Sequence, residues 1–469
     1  MPHINRRESL FRLGTSLGSV ALAALLADDA DANPDNKVAP LAPKKGHLPA
    51  KATNCVFLMM EGGPSHVDTF DPKSALKKLY LKEFTREGEQ KSAMESGKRY
   101  YVQSPFTFSK HGQSGADMAD NWSHLSTVAD ELCFFRGCQV DSVNHPTAMY
   151  QMNCGNRFGG DPGMGAWVTY GLGSENQDLP GYVVLLSGPA GGAGTSMWSS
   201  GFLPSVHQGI QFRSQGDAVL FLSSPEGHSA DDRRRVLDTL GQLNQEQFQA
   251  TGDPEIETRI RQYELAFRMQ TSVPELMEIG GETKATLEAY GAEPGKASFA
   301  NNCLLARRLV ERGVRLVELY DSDWDHHGGI ETRLPAKCKE TDRPIAALLK
   351  DLKQRDLLKD TLIVWGSEFG RTPLRQGGNA QDKGLSGRDH HKDAFTMWLA
   401  GGGIKGGVSF GQSDDFGMDV AENGVHVHDL NATILHLLGI DHERLTYRYQ
   451  GREFRLTDVE GHVVRDIIT

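Results

Sequence analysis

Asn54-Cys55-Val56-Phe57-Leu58-Met59-Met60 is a nearly unbroken apolar run that stops abruptly at Glu61-Gly62-Gly63-Pro64. A short run without alternation, closed by Gly and Pro, is the pattern of a strand covered on both faces, as in a parallel sheet. The same grammar recurs at Leu132 to Val140, Gly181 to Leu186, Val314 to Tyr320, Leu362 to Trp365 and Phe395 to Leu399. Helical periodicity separates several of these runs, at Gly115 to Asp130, Phe299 to Glu311 and Arg343 to Leu357. Strands alternating with helices predict an α/β fold: a doubly wound, mostly parallel sheet with right-handed crossovers and helices on both faces. Between about residues 190 and 297 the pattern changes to Gly/Ser loops and two polar helices, Ala230 to Ala250 and Pro254 to Gln270. This stretch reads as an insertion covering one edge of the sheet.

The first residues follow another rule. Asn5-Arg6-Arg7-Glu8-Ser9-Leu10-Phe11 precedes a weakly apolar run from Leu13 to Ala27 and the small-x-small triplet Ala30-Asp31-Ala32. Residues 1–32 are therefore expected to be a twin-arginine export signal, which places the mature protein in the periplasm or outside the cell. The apolar run of about 15 residues is too short to span a hydrocarbon core of about 30 Å, and no integral membrane segment is expected after signal cleavage. Residues 33–51, rich in Pro, Ala and Lys, read as a linker, and 52–469 as one domain with the insertion.

Composition narrows the partners. Of 469 residues, 50 are Lys or Arg and 61 are Asp or Glu, a net charge of −11, with 38% hydrophobic residues. That is a soluble globular composition, and with no basic stretch beside aromatics no nucleic acid partner is expected. The six cysteines form no CxxC pair and are expected to be mostly free, buried thiols.

In doubly wound sheets the ligand site lies outside the carboxyl ends of the strands. Here those ends are followed by Glu61 to Asp68, Asp141 to Thr147, Asp321 to His327 and Gly366 to Pro373, while Gly387-Arg388-Asp389-His390-His391 precedes the last strand. Carboxylates and imidazoles from four or more loops suit a divalent metal, zinc or manganese in preference to calcium. His426 and His428, ahead of a predicted helix, are open to a structural or a functional role.

Glu61-Gly-Gly-Pro-Ser-His-Val-Asp-Thr-Phe-Asp-Pro-Lys73, Trp324-Asp-His-His327, Ser367-Glu-Phe-Gly-Arg-Thr-Pro373, Gly387-Arg-Asp-His390 and His428-Asp-Leu-Asn-Ala-Thr-Ile-Leu-His-Leu-Leu-Gly439 resemble the exported family known as domain of unknown function 1501. That family is in turn similar to the sulfatase-like branch of the alkaline phosphatase superfamily, which hydrolyses phosphate or sulfate esters with divalent metals. The resemblance implies metal ligands at Glu61, Asp325, His327, Glu368 and His390, with Asp323 and His391 as rivals to their neighbours. Phe369 stands where the superfamily has a further histidine. The superfamily nucleophile lies ten residues before a helix-ending Gly, and counting back from Gly155 reaches His145. The sulfatase signature is absent, because Pro146 falls one place early and Met149 replaces its Arg. His145 is thus a candidate nucleophile, ligand or base, held neutral by the field of a helix N-terminus. Thr147 is an alternative nucleophile, attack by water a further route, and Arg371 a clamp for the anion. The expected substrate is an anionic ester, a sulfated polysaccharide among the candidates. The alternative reading is a metal-binding, anion-binding or interaction protein on the same scaffold.

Replacing Arg6 and Arg7 with Lys is expected to leave an unexported precursor, because the export receptor reads the paired guanidiniums. Cell fractionation checks this, and normal export of the double variant would exclude the route.

Overall fold

Every residue of the first strand, β1 (Asn54–Met60), is buried, as its apolar run requires. Alternate side chains enter two separate cores: Val56, Leu58 and Met60 one, Cys55, Phe57 and Met59 the other. The computed structural model describes residues 40–85, 98–189, 192–220, 222–224, 227–376 and 387–469. The expected export signal lies outside the described residues, as does the linker before residue 40. Leu41–Thr469 forms one compact unit. The end of the expected linker is not free, because Lys44, Leu48 and Lys51 donate backbone hydrogen bonds to the carbonyls of Leu172, Gly439 and Leu437.

Eight further strands complete the central sheet in chain order: β2 (Leu132–Gln139), β3 (Tyr182–Ser187), β4 (Ile210–Phe212), β5 (Leu316–Asp321), β6 (Thr361–Gly366), β7 (Phe395–Ala400), β8 (Val408–Phe410) and β9 (Val425–His426). The spatial order is β8-β2-β7-β6-β1-β5-β3-β4, with β9 also paired to β2. All neighbours run parallel except β7, which is antiparallel to both β2 and β6. This is the mostly parallel α/β sheet that the apolar runs predict. Helices Phe299–Glu311 and Ile330–Gln354 contribute Leu304, Leu305 and Leu348 to one core, and Val427–Leu437 contributes Leu430 and Ile434 to the other. Within the insertion, β4 adds an edge strand, and the helices Ala230–Thr251 and Pro254–Met277 are joined by an Arg234–Glu264 ion pair. No helix of the described residues is long and apolar enough to cross a membrane. All six cysteines are free and buried.

One predicted helix is absent. The segment Gly115 to Asp130 instead forms strand Ala116–Ala119, paired in a hairpin with Phe108–His111, followed by the 3-10 helix Leu125–Glu131. The Asp130 carboxylate accepts the backbone N–H groups of Gln113 and Ser114 and so holds the turn that a continuous helix would need to dissolve.

Strand ends are aligned where the site forms. Met60 pairs with Asp321, and Met59 pairs with Gly366, so β1, β5 and β6 stop nearly in line. Because β7 runs the opposite way, the residues preceding it arrive at that same edge. Gly62, at φ 121°, lets the loop after β5 lie against it: a Cβ there would sit 2.4 Å from the Asp325 backbone nitrogen.

Gly62→Ala is expected to cost about 2 kcal/mol or more, since both the dihedral and the contact with backbone oppose a side chain. Gly115, at φ 66° with nothing within 4 Å of a Cβ, is the control and should lose about 1 kcal/mol on the same change. Chemical denaturation of the two variants checks the difference.

Candidate metal centre

Four side chains meet at the carboxyl edge: His145, Asp325, His327 and His390, each offering one ligand atom, with those atoms all within 4.8 Å of one another. Asp325 and His327 lie in the loop after β5. His390 comes from the two-stranded ribbon Gly370–Arg375 and Arg388–His391, which precedes the antiparallel β7. His145 opens the helix His145–Cys154, whose start is set by Asn144 accepting from the Thr147 N–H and by Pro146 in the first turn. The helix ends at Gly155, φ 69°, where a Cβ would collide with the Leu456 carbonyl at 1.8 Å. That collision is the local reason for the Gly ten residues on.

The hydrogen bonds at the far ring nitrogens settle the orientation of each imidazole. Nδ1 of His390 donates to the Val143 carbonyl at 2.6 Å, Nδ1 of His327 donates to the Gln376 side-chain carbonyl, and Nδ1 of His145 donates to Glu368 Oε1 at 2.5 Å. Each Nε2 is left facing the Asp325 carboxylate, at 2.8 Å from His327, 3.3 Å from His390 and 3.5 Å from His145. The Nε2 atoms of His327 and His390 are 2.9 Å apart. With both ring protons committed at Nδ1, two lone pairs confront each other, an arrangement that a shared cation reconciles. Three imidazoles held by oxygen acceptors and one carboxylate are a fitting donor set for zinc or manganese. The centre is open to solvent, since the Asp325 side chain is 40% exposed, whereas that of His390 is 4% exposed.

The rivals separate cleanly. Asp323 turns outward to Arg333 at 2.8 Å. His391 donates to the Met418 carbonyl and stacks on His66, within the core. His326 is buried and is not one of the four clustered groups. Glu368 and Glu61 lie outside the four-ligand group: Glu368 takes the Gly62 N–H at 3.0 Å as well as His145, so it positions a ligand. Glu61 sits beside it, with Oε2 buried and without a hydrogen-bond partner. Val143 and Gln376, the other two supports, carry no signal in the sequence: one acts through its carbonyl and the other comes from a different loop.

Three sequence expectations are corrected. Arg371 does not present a free fork to a substrate. It is fully buried, with Nε on the Gly63 carbonyl at 2.9 Å, Nη1 on the Arg388 carbonyl at 3.0 Å, and Nη2 shared by the Gly62 carbonyl and Asp325. Thr147 does not face the cluster as a nucleophile, because its hydroxyl is engaged with the Asn144 carbonyl at 3.0 Å and Ser142 at 2.6 Å. His145 is not kept neutral by the helix terminus. Burial does push its pKa down, but the hydrogen bonds and charges of Asp325 and Glu368 outweigh it and raise the pKa to about 9 in the absence of metal. Asp325 is affected in the opposite sense: burial opposes its charge, yet the three imidazoles and Arg371 hold its carboxyl well below the usual range. Burial, and then the charge of Glu368, push Glu61 up to about 7.

The profile of the family described as protein of unknown function (DUF1501) matches residues 52–468. The chain belongs to the DUF1501 family. No curated protein matches the sequence. Among solved structures, the chain is similar to Ps i-CgsB in complex with k-i-k-neocarrahexaose, at 12% identity over 84% of this chain and 72% of that one, TM-score 0.36. It is also similar to a phosphonate monoester hydrolase from Silicibacter pomeroyi, at 12% identity over 73% and 71%, TM-score 0.32. A third likeness is to an alkaline phosphatase from the Antarctic bacterium TAB5, at 10% identity over 84% and 98%, TM-score 0.31.

The raised His145 pKa predicts a pH dependence. A proton held more tightly in the folded state stabilises fully below the unfolded value of about 6.5 and is lost as pH rises through about 9. Chelator-treated protein should therefore lose melting temperature between those values, and added zinc or manganese should flatten the fall by occupying the same nitrogens. His145→Gln removes that part of the slope. A slope unchanged in the variant would show that other groups carry it.

Proposed function

We propose that the protein is an exported, metal-dependent hydrolase of sulfate or phosphate esters. The observation that carries the reading is the convergence of three Nε2 atoms and one carboxylate at the open edge of the sheet. A divalent cation held by Asp325, His327, His390 and His145 would supply positive charge against the ester oxyanion and acidify bound water. The chain's own residues do the rest. Glu368 and the Val143 and Gln376 carbonyls orient the imidazoles. Arg371 fixes the Asp325 carboxylate from the buried side. Glu61, beside this group with Oε2 unpartnered, accepts the proton of the attacking water. Water is the nucleophile in this reading, because the Thr147 hydroxyl belongs to the helix cap and His145 is turned toward Asp325.

A second reading, a metal or anion binding protein without turnover, draws support from the imidazole that stands at the nucleophile position. Metal analysis of the exported protein, with turnover of aryl phosphate and aryl sulfate in zinc and in manganese, separates the two. Stoichiometric metal without turnover favours the second.

His327→Ala is expected to remove most bound metal and abolish turnover, and to lower stability by about 3–4 kcal/mol under conditions where metal saturates the parent protein. Gln376→Ala should weaken metal affinity by about 10–100-fold while leaving the fold intact. Full metal content in His327→Ala would overturn the assignment.

A further inference from the structure

A second feature of the same edge has no part in the metal centre. A cavity of about 290 Å³ lies at the far end of the His145–Cys154 helix, where Gln151 and Cys154 line it together with Asp141 from the loop before that helix. This is near the lower end of ligand-pocket volumes. The loop after the helix contributes Arg157, Phe158 and Asp161, and the hairpin of strands Tyr447–Tyr449 and Arg452–Phe454 contributes Arg452 and Phe454. At about 1.5 Å per helical residue, the six to nine residues from His145 to Gln151 and Cys154 place the cavity about 9–14 Å from the metal cluster.

Three observations indicate what it takes. First, His428 lines the cavity, is only 6% exposed, and has an Nδ1 with no hydrogen-bond partner, a buried polar atom waiting for a ligand. Second, the charges are balanced: Arg157, Arg452 and Arg455 face Asp141, Asp161 and Asp458 in the same lining. A site for a bare anion gathers donors alone, whereas here donors and acceptors interlock: Arg452 pairs with Asp458, Gln151 donates to Asp141 at 2.5 Å and Asn156 donates to Asp161 at 2.8 Å. Arg157 has no hydrogen-bond partner among the described residues, and its guanidinium lies over the Phe158 ring at 5.9 Å. Third, Phe158 is 84% exposed, a large apolar ring at the rim. Phe454, in the lining, packs on Phe202, which stacks on Tyr449 at 5.3 Å, so aromatic faces continue outward from the cavity.

We propose that this cavity is a subsite for a glycosyl unit of the substrate, carrying the sugar ring next to the one that bears the ester. Vicinal hydroxyls both give and take hydrogen bonds and match the Arg157 guanidinium, the unpartnered His428 Nδ1 and the remaining lone pairs of Asp141 and Asp161, while the C–H face of the ring stacks on Phe158. The proposal rests on the ester hydrolase reading for its choice of substrate, and it makes the substrate an oligosaccharide long enough to span both sites.

The test is direct binding of neutral and sulfated oligosaccharides to the purified protein, by array and then by calorimetry, with inorganic sulfate as competitor. Saturable binding of an oligosaccharide is expected, weakened about tenfold or more in Phe158→Ala and in Arg157→Gln, with melting temperatures unchanged because both side chains are exposed. Three results would overturn the subsite: no oligosaccharide bound at millimolar concentration, binding unaffected by both variants, or full displacement by sulfate alone. Aryl ester turnover is scored separately. Turnover without oligosaccharide binding removes only the subsite, while binding without turnover removes the hydrolase reading.

Discussion

The buried Arg371 guanidinium is the constraint on which the site depends. A charge removed from water must be paired and hydrogen-bonded throughout, or the desolvation cost is not recovered. Arg371 meets that requirement by donating to the carbonyls of Gly62 and Gly63 after the first strand, to the Arg388 carbonyl across the ribbon, and to Asp325 after the middle strand. One side chain thus ties three separate loops to a common point. The carboxylate it fixes is the one on which three imidazoles converge. Arg388 repeats the device one layer further in, with Nε on Asp68 Oδ2 at 2.5 Å and Nη2 on Asp68 Oδ1 at 3.1 Å, so the ribbon carrying His390 is held at both ends.

Sheet geometry explains why those loops can meet at all. Parallel strands in near register deliver their carboxyl ends to one line, and the single antiparallel strand reverses the chain so that its preceding residues reach the same line. Apolar side chains on both faces leave the backbone no route for connections except over the edges. Polar groups therefore collect where the backbone emerges, and glycine at position 62 allows two emerging loops to touch.

Electrostatically, the metal-free centre is unbalanced in an informative way. Three imidazoles share one carboxylate, while burial, and then the neighbouring charge of Glu368, push Glu61 toward neutrality. A positive charge placed among the Nε2 atoms relieves the lone-pair conflict between His327 and His390 and favours ionised Glu61. The cavity at the other end of the His145 helix shares this helix but not this imbalance, since its three arginines are matched by three aspartates.

The fold class was legible in the chain because a doubly covered strand must be largely apolar without alternation, and β1, β2, β3, β5, β6 and β7 all carry such runs. The short strands β4, β8 and β9 and the hairpin replacing the helix at 115–130 did not, because they are defined by partners distant in sequence. Candidate ligands were legible for the same reason as the strands: Asp325 and His327 lie in the polar stretch after one apolar run, and His390 in the polar stretch before another. Roles were not. Whether Asp323 or Asp325 faces the centre depends on the backbone of one turn, and whether Arg371 clamps a substrate or a carboxylate depends on burial by loops from three parts of the chain. His145 likewise takes its proton affinity from Asp325 and Glu368, both far along the sequence, and not from the helix it begins. Residue type and local pattern determine which groups reach the edge; only tertiary contact decides which atoms they face, because that is set by packing between segments that no local pattern relates.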